Sequence, residues 1–301
     1  MLAATAAPSA TSTDTSTNNN LATSSFPSHD ADEDDHEHWM SSVFDFVANA
    51  VDSTDADFSR SGATAVVCAI QPGRVTAAWA GDSRAVLGMY GTHEGRQLRA
   101  VIPLTRDHKP DPHTCPHEAE RILASGGRVD RLAMDRHGNP TGPFRVFLPD
   151  AWTPGLALTR AFGDHLVRDV GIVPTPEVHT MSLPCSILAH LGPGTNGTSS
   201  SSHGRVSNLA AACNLSSTAR AGEENQESGK KGAKNRHVLI VASDGLWEWM
   251  SNEEAVGIAS ECETAEEASQ RLTESAQKLW ATKYRGRVCD DITVAVAYLP
   301  V

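Results

Sequence analysis

Three aspartates stand where a folded chain can present a carboxylate rigidly. Ser243-Asp244-Gly245-Leu246-Trp247-Glu248 directly follows the apolar run Val238-Leu239-Ile240-Val241-Ala242. Asp244 therefore sits at the carboxyl end of a predicted buried strand, and the glycine after it lets the backbone turn away. Asp290-Asp291 opens the last predicted strand, Asp291 to Leu299, and Asp82 lies in Gly81-Asp82-Ser83-Arg84, inside another apolar stretch. Strand-end carboxylates distant in sequence are what an oxygen-rich Mg2+ or Mn2+ site requires, because hard cations take carboxylate and water ligands. An Asp-Gly also serves as an ordinary surface turn, with the carboxylate bonded to nearby backbone N–H groups. Spacing does not choose between the two.

The elements that must position these acids are legible in outline. Trp39 to Asp57 has apolar residues at spacings of three and four, which predicts a helix. Thr64 to Ile70, a turn at Gln71-Pro72-Gly73, and Val75 to Leu87 broken at Gly81-Asp82 predict a hairpin with a polar interruption. Residues 116 to 125 open with Pro116 and stop at Gly126-Gly127, a helix signature. The C-terminal third reads as a buried strand at 238–242, a helical stretch from Asn252 to Trp280, and the final strand. Strands come first, with helices interspersed and no repeating βαβ rhythm, so the fold class is α+β with mainly antiparallel pairing.

Composition limits the setting. The chain has 301 residues, 40% apolar, with six tryptophans, enough for a core. Its net charge of −12 argues against nucleic acid or an anionic membrane surface as the main partner. Residues 1 to 59 carry eleven acids and no Lys or Arg, so the rest of the chain is near neutral. Residues 1–38 read as a disordered acidic tail, and Gly192 to about Lys234 as a low-complexity insertion, placed at about 192–236. Six scattered cysteines with no C-x-x-C spacing suit reduced thiols, and no run approaches a membrane span. A protein of the cytoplasm or nucleus, with no membrane partner and acting as a monomer, is expected.

The segments Ser61-Gly62-Ala63-Thr64-Ala65, Ala80-Gly81-Asp82-Ser83-Arg84, Thr105-Arg106-Asp107-His108-Lys109-Pro110, Glu118-Ala119-Glu120-Arg121-Ile122, Gly126-Gly127-Arg128-Val129, Leu158-Thr159-Arg160-Ala161-Phe162-Gly163-Asp164, Pro176-Glu177-Val178, Ser243-Asp244-Gly245-Leu246-Trp247 and Asp290-Asp291-Ile292-Thr293-Val294 occur in this order. Together they resemble the metal-dependent serine/threonine protein phosphatases of type 2C, the PPM family. The stretch Val146 to Asp164 looks most like plant and protist members. The resemblance implies two stacked antiparallel β-sheets flanked by helices, spanning 39–301 as a partial phosphatase domain. It implies Asp244 and Asp290 as ligands of a binuclear Mg2+ or Mn2+ centre. Asp82 would join Asp244 at a weaker third metal position, with Glu248, four residues after Asp244, and Arg160 in support. In the family the metals activate a water that attacks phosphorus in line. His108 is a motif residue in a turn, with a structural role expected.

One departure stands out. Family members carry a strand ending in Asp-Gly-His-Gly-Gly upstream of the Ser-Gly-x-Thr segment, whose Asp bridges both metals and whose His is the proposed general acid. This sequence contains no such motif, so the family's N-terminal strands are read as missing and the catalytic acid is unknown. The upstream phosphate-gripping Arg is also missing, since Arg60 is the first Lys or Arg. Asp135-Arg136-His137-Gly138-Asn139 lies in the wrong chain order and reads as a turn. Asp34-Asp35-His36-Glu37-His38 reads as a solvated acidic stretch rather than a metal site.

The expected function is hydrolysis of phosphoserine and phosphothreonine in a phosphoprotein substrate. The alternative is a catalytically impaired pseudophosphatase that binds phosphoproteins. Because the insertion lacks apolar periodicity, deleting residues 195 to 234 is expected to leave the melting temperature nearly unchanged. Limited proteolysis of the full chain should cut there and before Trp39 first; protection of either segment, or a large loss of Tm on deletion, contradicts the assignment.

Overall fold

The computed structural model describes residues 33–71, 73–93, 96–183 and 236–299. The insertion expected at about 192–236 lies almost wholly outside them, as does the tail up to residue 32. The chain divides into two compact units. The first holds the described residues up to Ile70, Arg74–Ala85 and Pro103–Ser182; the second holds the described residues of Gln71–Gly73, Val86–Ile102 and Leu183–Val301.

The first unit opens with helix α1, Glu33–Asp52. Its start lies six residues before the expected one, because His36 falls on the same face as Met40, Phe44 and Ala48, and all four are buried. The acidic run is thus the first turns of a helix, where negative charge suits the positive end of the helix dipole. Met40, Phe44 and Ala48 pack on Ala78, Ala80 and Phe162, with the Phe44 and Phe162 rings 5.6 Å apart. The alanines are small enough to let the helix lie close.

Beneath α1, strands β2 (Ala65–Gln71) and β3 (Arg74–Ala80) form the expected hairpin; β3 also pairs with β10 (Glu177–Ser182), antiparallel, with Trp79 opposite Glu177. The short strands β1 (Gly62–Ala63) and β9 (Phe162–Gly163) pair antiparallel. Helix α2, Pro116–Ala124, begins at its proline as expected. A third sheet, of β6 (Arg128–Met134), β7 (Pro140–Phe147) and β8 (Pro154–Leu156), was not evident from alternation, since its strands are broken by Pro and charge.

β4 (Arg84–His93) starts after the Gly81–Ser83 interruption and joins another sheet, ordered β12-β11-β4-β5, with β5 at Arg96–Pro103, β11 at His237–Ala242 and β12 at Val294–Leu299. The polar break inside the apolar stretch is therefore the point where the chain changes sheets. Gly81 is required there: its φ is +111°, and a Cβ would meet the Thr64 side chain at 2.3 Å.

The second unit adds the single turn α3 (Asp244–Trp247), α4 (Asn252–Glu261) and α5 (Ala265–Tyr284). The one helical stretch expected at 252–280 is two helices, because Thr264 caps α5 by accepting the Glu267 N–H. Arg236 covers the break by donating to the Cys262 and Glu263 carbonyls. Ser251 and Glu254 form a capping box at the start of α4. Val238, Ile240, Leu246, Val256 and Leu272 are fully buried together under these helices, each contributing about 1.5–3 kcal/mol of transfer free energy. Among the described residues, no helix is long and apolar enough to cross a membrane.

Helix α4 approaches β4 closely at Gly88, where a Cβ would lie 2.4 Å from Val256 Cγ1 and 2.8 Å from Val238 Cγ1. Gly88→Ala should cost about 1–3 kcal/mol through overpacking, read as a lower urea midpoint; an unchanged midpoint would show that α4 can retreat at no cost.

Candidate functional site

The antiparallel register of β11 and β12 sets Ala242 opposite Val294. Continued outward, it brings Gly245 against Asp291, and a Cβ at residue 245 would lie 2.4 Å from the Asp291 carbonyl oxygen. Only glycine permits that approach. Ser243 stitches the same junction: its N–H donates to the Thr293 carbonyl at 3.0 Å. Its hydroxyl accepts the Thr293 N–H and donates to the Asp291 carbonyl, both at 3.0 Å.

Two of the acids are therefore brought to one sheet end. Asp244, half-buried, is the first residue of α3, and its carbonyl accepts the Glu248 N–H at 2.8 Å, so exposed Glu248 stands one turn above it. Asp290 and Asp291 are exposed, and Asp290 Oδ1 accepts the Asp291 N–H at 2.9 Å. Two indoles tie the turn down: Trp247 Nε1–H donates to the Ala242 carbonyl at 3.0 Å and Trp280 Nε1–H to the Gly245 carbonyl at 2.7 Å. Neither tryptophan was picked out from the sequence. The apolar run before Asp244 gave the strand, but nothing local links residue 280 to residue 245.

Asp82 belongs to the first unit. It is buried, and the Lys109 ammonium donates to its Oδ2. The whole Asp107-His108-Lys109 segment is zipped onto the Gly81 turn. Arg84 holds Asp107 through two bonds of 2.9 Å, and the Gly81 N–H donates to His108 Nδ1 at 3.0 Å. The His108 ring stacks on Trp79, whose Nε1–H donates to the Arg106 carbonyl. His108 thus has the structural role expected of it.

His108, Glu118 and Glu177 form a further group, with one ligand atom from each lying within 4.8 Å of the others, close enough to share a metal ion. Its carboxylates already take hydrogen bonds from arginines and a threonine, while the buried His108 Nε2 has no hydrogen-bond partner. His108 Nδ1 accepts the Gly81 N–H, so its proton is on Nε2, 3.6 Å from Glu177, leaving no lone pair there for a metal. Glu118 accepts from Arg121, Arg160 and the Thr159 hydroxyl. Arg160 further binds Glu177 and the Thr175 carbonyl, and Arg106 lies 3.9 Å from Glu177. Three guanidiniums meet two carboxylates, so a divalent cation would be repelled. Arg160, expected as a supporting site residue, links α2 to β10 through Glu118 and Glu177. Burial pushes the Glu118 carboxyl upward, but Arg121, Arg160 and Thr159 together hold it well below the usual carboxylate range.

The Asp135 stretch is the turn it was expected to be. Asp135 Oδ1 accepts the His137 and Asn139 N–H groups, and Gly138 takes φ of +82°.

The family model Protein phosphatase 2C matches residues 7–185 and 227–283, and the chain belongs to that family. It is 33% identical over 236 residues to "Probable protein phosphatase 2C 48" of Oryza sativa subsp. japonica, covering 78% of this chain and 51% of that protein. To "Probable protein phosphatase 2C 73" of Arabidopsis thaliana it is 32% identical over 239 residues, covering 79% and 48%. The chain thus spans about half the length of the curated relatives it matches. In fold it is similar to the serine-threonine phosphatase 2C from Toxoplasma gondii, at TM-score 0.56 and 22% identity, covering 88% of this chain and 66% of that one. A Caenorhabditis elegans sex determining protein matches at TM-score 0.51 and 17% identity, over 89% of this chain and 47% of that one.

The depressed Glu118 carboxyl makes a signed prediction. Its stabilisation is complete above the ordinary Glu value and is lost as pH falls from there toward the folded value. Glu118→Gln should cost about 3 kcal/mol at pH 7 by leaving Arg121 and Arg160 short of charge. The gap from wild type, measured by chemical unfolding, should narrow steadily below about pH 4. A gap independent of pH would mean that the carboxylate's charge is not what stabilises.

Proposed function

We propose that the protein is a serine/threonine protein phosphatase, hydrolysing phosphoserine and phosphothreonine with Mg2+ or Mn2+ held by Asp244 and Asp290. The observation that carries this reading is the meeting of the Asp244-Gly245 turn with the Asp290-Asp291 segment at the end of β11 and β12. The donor set fits a hard cation: carboxylates, one half-buried and one exposed, leave room for water ligands. Glu248 supports from the C-terminal end of α3. Asp82 enters from the family resemblance alone; to serve as a ligand its carboxylate would have to exchange Lys109 for the ion.

Such an ion would supply a polarised water and neutralise charge on the phosphoryl oxygens. The chain's own residues do the rest of what is proposed. Ser243 and Gly245 fix the backbone that carries Asp244, and the exposed Asp290 side leaves the site open to a phosphorylated side chain on a protein surface. Hydrolysis breaks the phosphorus–oxygen ester bond, water supplying the oxygen to phosphate and a proton to the leaving serine or threonine alkoxide. No histidine of the described residues is assigned to that proton.

The 301-residue chain lacks the Asp-Gly-His-Gly-Gly strand, and a general acid is worth typically ~10²–10⁴-fold. Mn2+-stimulated hydrolysis of a phosphothreonine peptide should therefore be weak in this chain. A version extended at its N-terminus by the family's motif strand should be active, and Asp244→Ala should abolish that activity. Turnover by the extended protein that survives Asp244→Ala, or none with any divalent cation, would sink the proposal.

A further inference from the structure

We infer that Trp280, on α5, is a positioning residue for the metal-binding acids, acting through its indole N–H on the Gly245 carbonyl; this rests on the function proposed above. Helix α3 is a single turn. A helix leaves its last four carbonyls without partners inside the helix, and α3 is only four residues long, so every carbonyl in it needs an outside donor. Asp244 finds Glu248 N–H; Gly245 finds Trp280, at 2.7 Å and buried.

The bond fixes more than one group. Gly245 is the residue whose Cα faces the Asp291 carbonyl, so its peptide plane sets the distance between the Asp244 turn and the Asp290-Asp291 segment. A rotated Gly245 peptide would swing Asp244 away from its neighbour acids without breaking the sheet, which is held independently by the β11–β12 ladder.

The indole is itself held in place. Trp280 stacks on Tyr284 at 5.3 Å and 18° and meets the edge of Trp249 at 6.0 Å and 87°. Trp249 in turn meets Tyr284 at 5.9 Å and lies under Lys283 Nζ at 4.8 Å. Since Trp249 directly follows Glu248, the aromatic trio clamps both ends of the turn that presents Asp244 and Glu248. A buried hydrogen bond one shell behind metal-binding carboxylates is the kind of contact whose loss typically weakens metal affinity about 10–100-fold.

The test is calorimetric titration of Mn2+ into the 301-residue protein, with a melting curve for each variant. Asp244→Ala should lose the binding heat. Trp280→Phe keeps the bulk of the ring but removes the N–H, and should bind Mn2+ at least about tenfold more weakly with little change in Tm. Trp280→His can place its Nε2–H at the ring position of the indole N–H, and should recover most of the affinity. Phe at wild-type affinity, or His no better than Phe, overturns the inference. Should Trp280→Phe fail to fold, the indole N–H resonance of Trp280 in the wild-type protein, titrated with Mg2+, decides. A shift that saturates with binding and vanishes in Asp244→Ala upholds the inference, and an unmoved resonance ends it. If Asp244→Ala binds Mn2+ as wild type does, the phosphatase-site reading itself falls and this inference with it. If only the Trp280 variants are silent, that reading stands.

Discussion

The contact between Gly245 and the Asp291 carbonyl is the constraint on which the presentation of the acids depends. Two antiparallel strands that end in register leave their outgoing chains adjacent, but adjacency alone does not fix carboxylates. Here the approach is so close that a single methyl group would be blocked, and the Ser243 hydroxyl adds a donor and an acceptor across the same gap. The core under the turn, with Leu246 and Trp247 buried against α4 and α5, keeps α3 from lifting. Rigidity is thus built from backbone and core, leaving Asp290 and Glu248 exposed and available. Gathering acids at one strand end carries a cost in mutual repulsion, which exposure reduces and a divalent cation would remove.

The first unit handles its carboxylates in the opposite way. Glu118 is buried and its charge is compensated by guanidiniums from two different elements. Asp107 is matched bidentately by Arg84, and Asp82 by Lys109. These pairs join segments far apart in sequence, so motif residues that look chemical serve to hold the fold. Arg160 is the clearest case. A guanidinium in a phosphatase motif invites a phosphate-binding role, yet its donors go to Glu118, Glu177 and the Thr175 carbonyl. Removing one partner of such a buried network leaves uncompensated charge, which explains why sequence motifs and structural necessity coincide here.

What could be read from the sequence divides along the range of the interactions involved. Local signals worked. Pro116 and Gly126 bounded α2, the apolar run 238–242 gave β11, and Asp135 to Asn139 formed the turn its composition implied. The cap at Thr264 was present as Thr-x-x-Glu, but the continuous apolar spacing from 252 to 280 masked it. The start of α1 was hidden because charge dominates residues 33–38, and only the tertiary burial of His36 identifies their face. β7 contains two prolines and β6 is interrupted by charge, and the two are stabilised by pairing with each other, a non-local fact. The acids Asp244 and Asp290 were legible because each adjoins an apolar strand. That they meet follows from a register between residues about fifty apart, and the family resemblance, not periodicity, pointed to it.

Lys109 gives the remaining step. An ammonium already bound to Asp82 is a cation supplied by the chain itself, with one positive charge where a metal would bring two. Any ion that took Asp82 would have to displace that ammonium from a carboxylate that is itself buried. Asp290, by contrast, is at the surface. The carboxylates therefore differ in rank. On the proposed reading, Asp244 and Asp290 would meet a hard cation from a turn fixed by backbone contacts, whereas Asp82 would first have to give up an internal ion pair. A carboxylate of that kind suits a weakly occupied position, and the distinction arises from which neighbours the fold supplies rather than from the aspartates themselves.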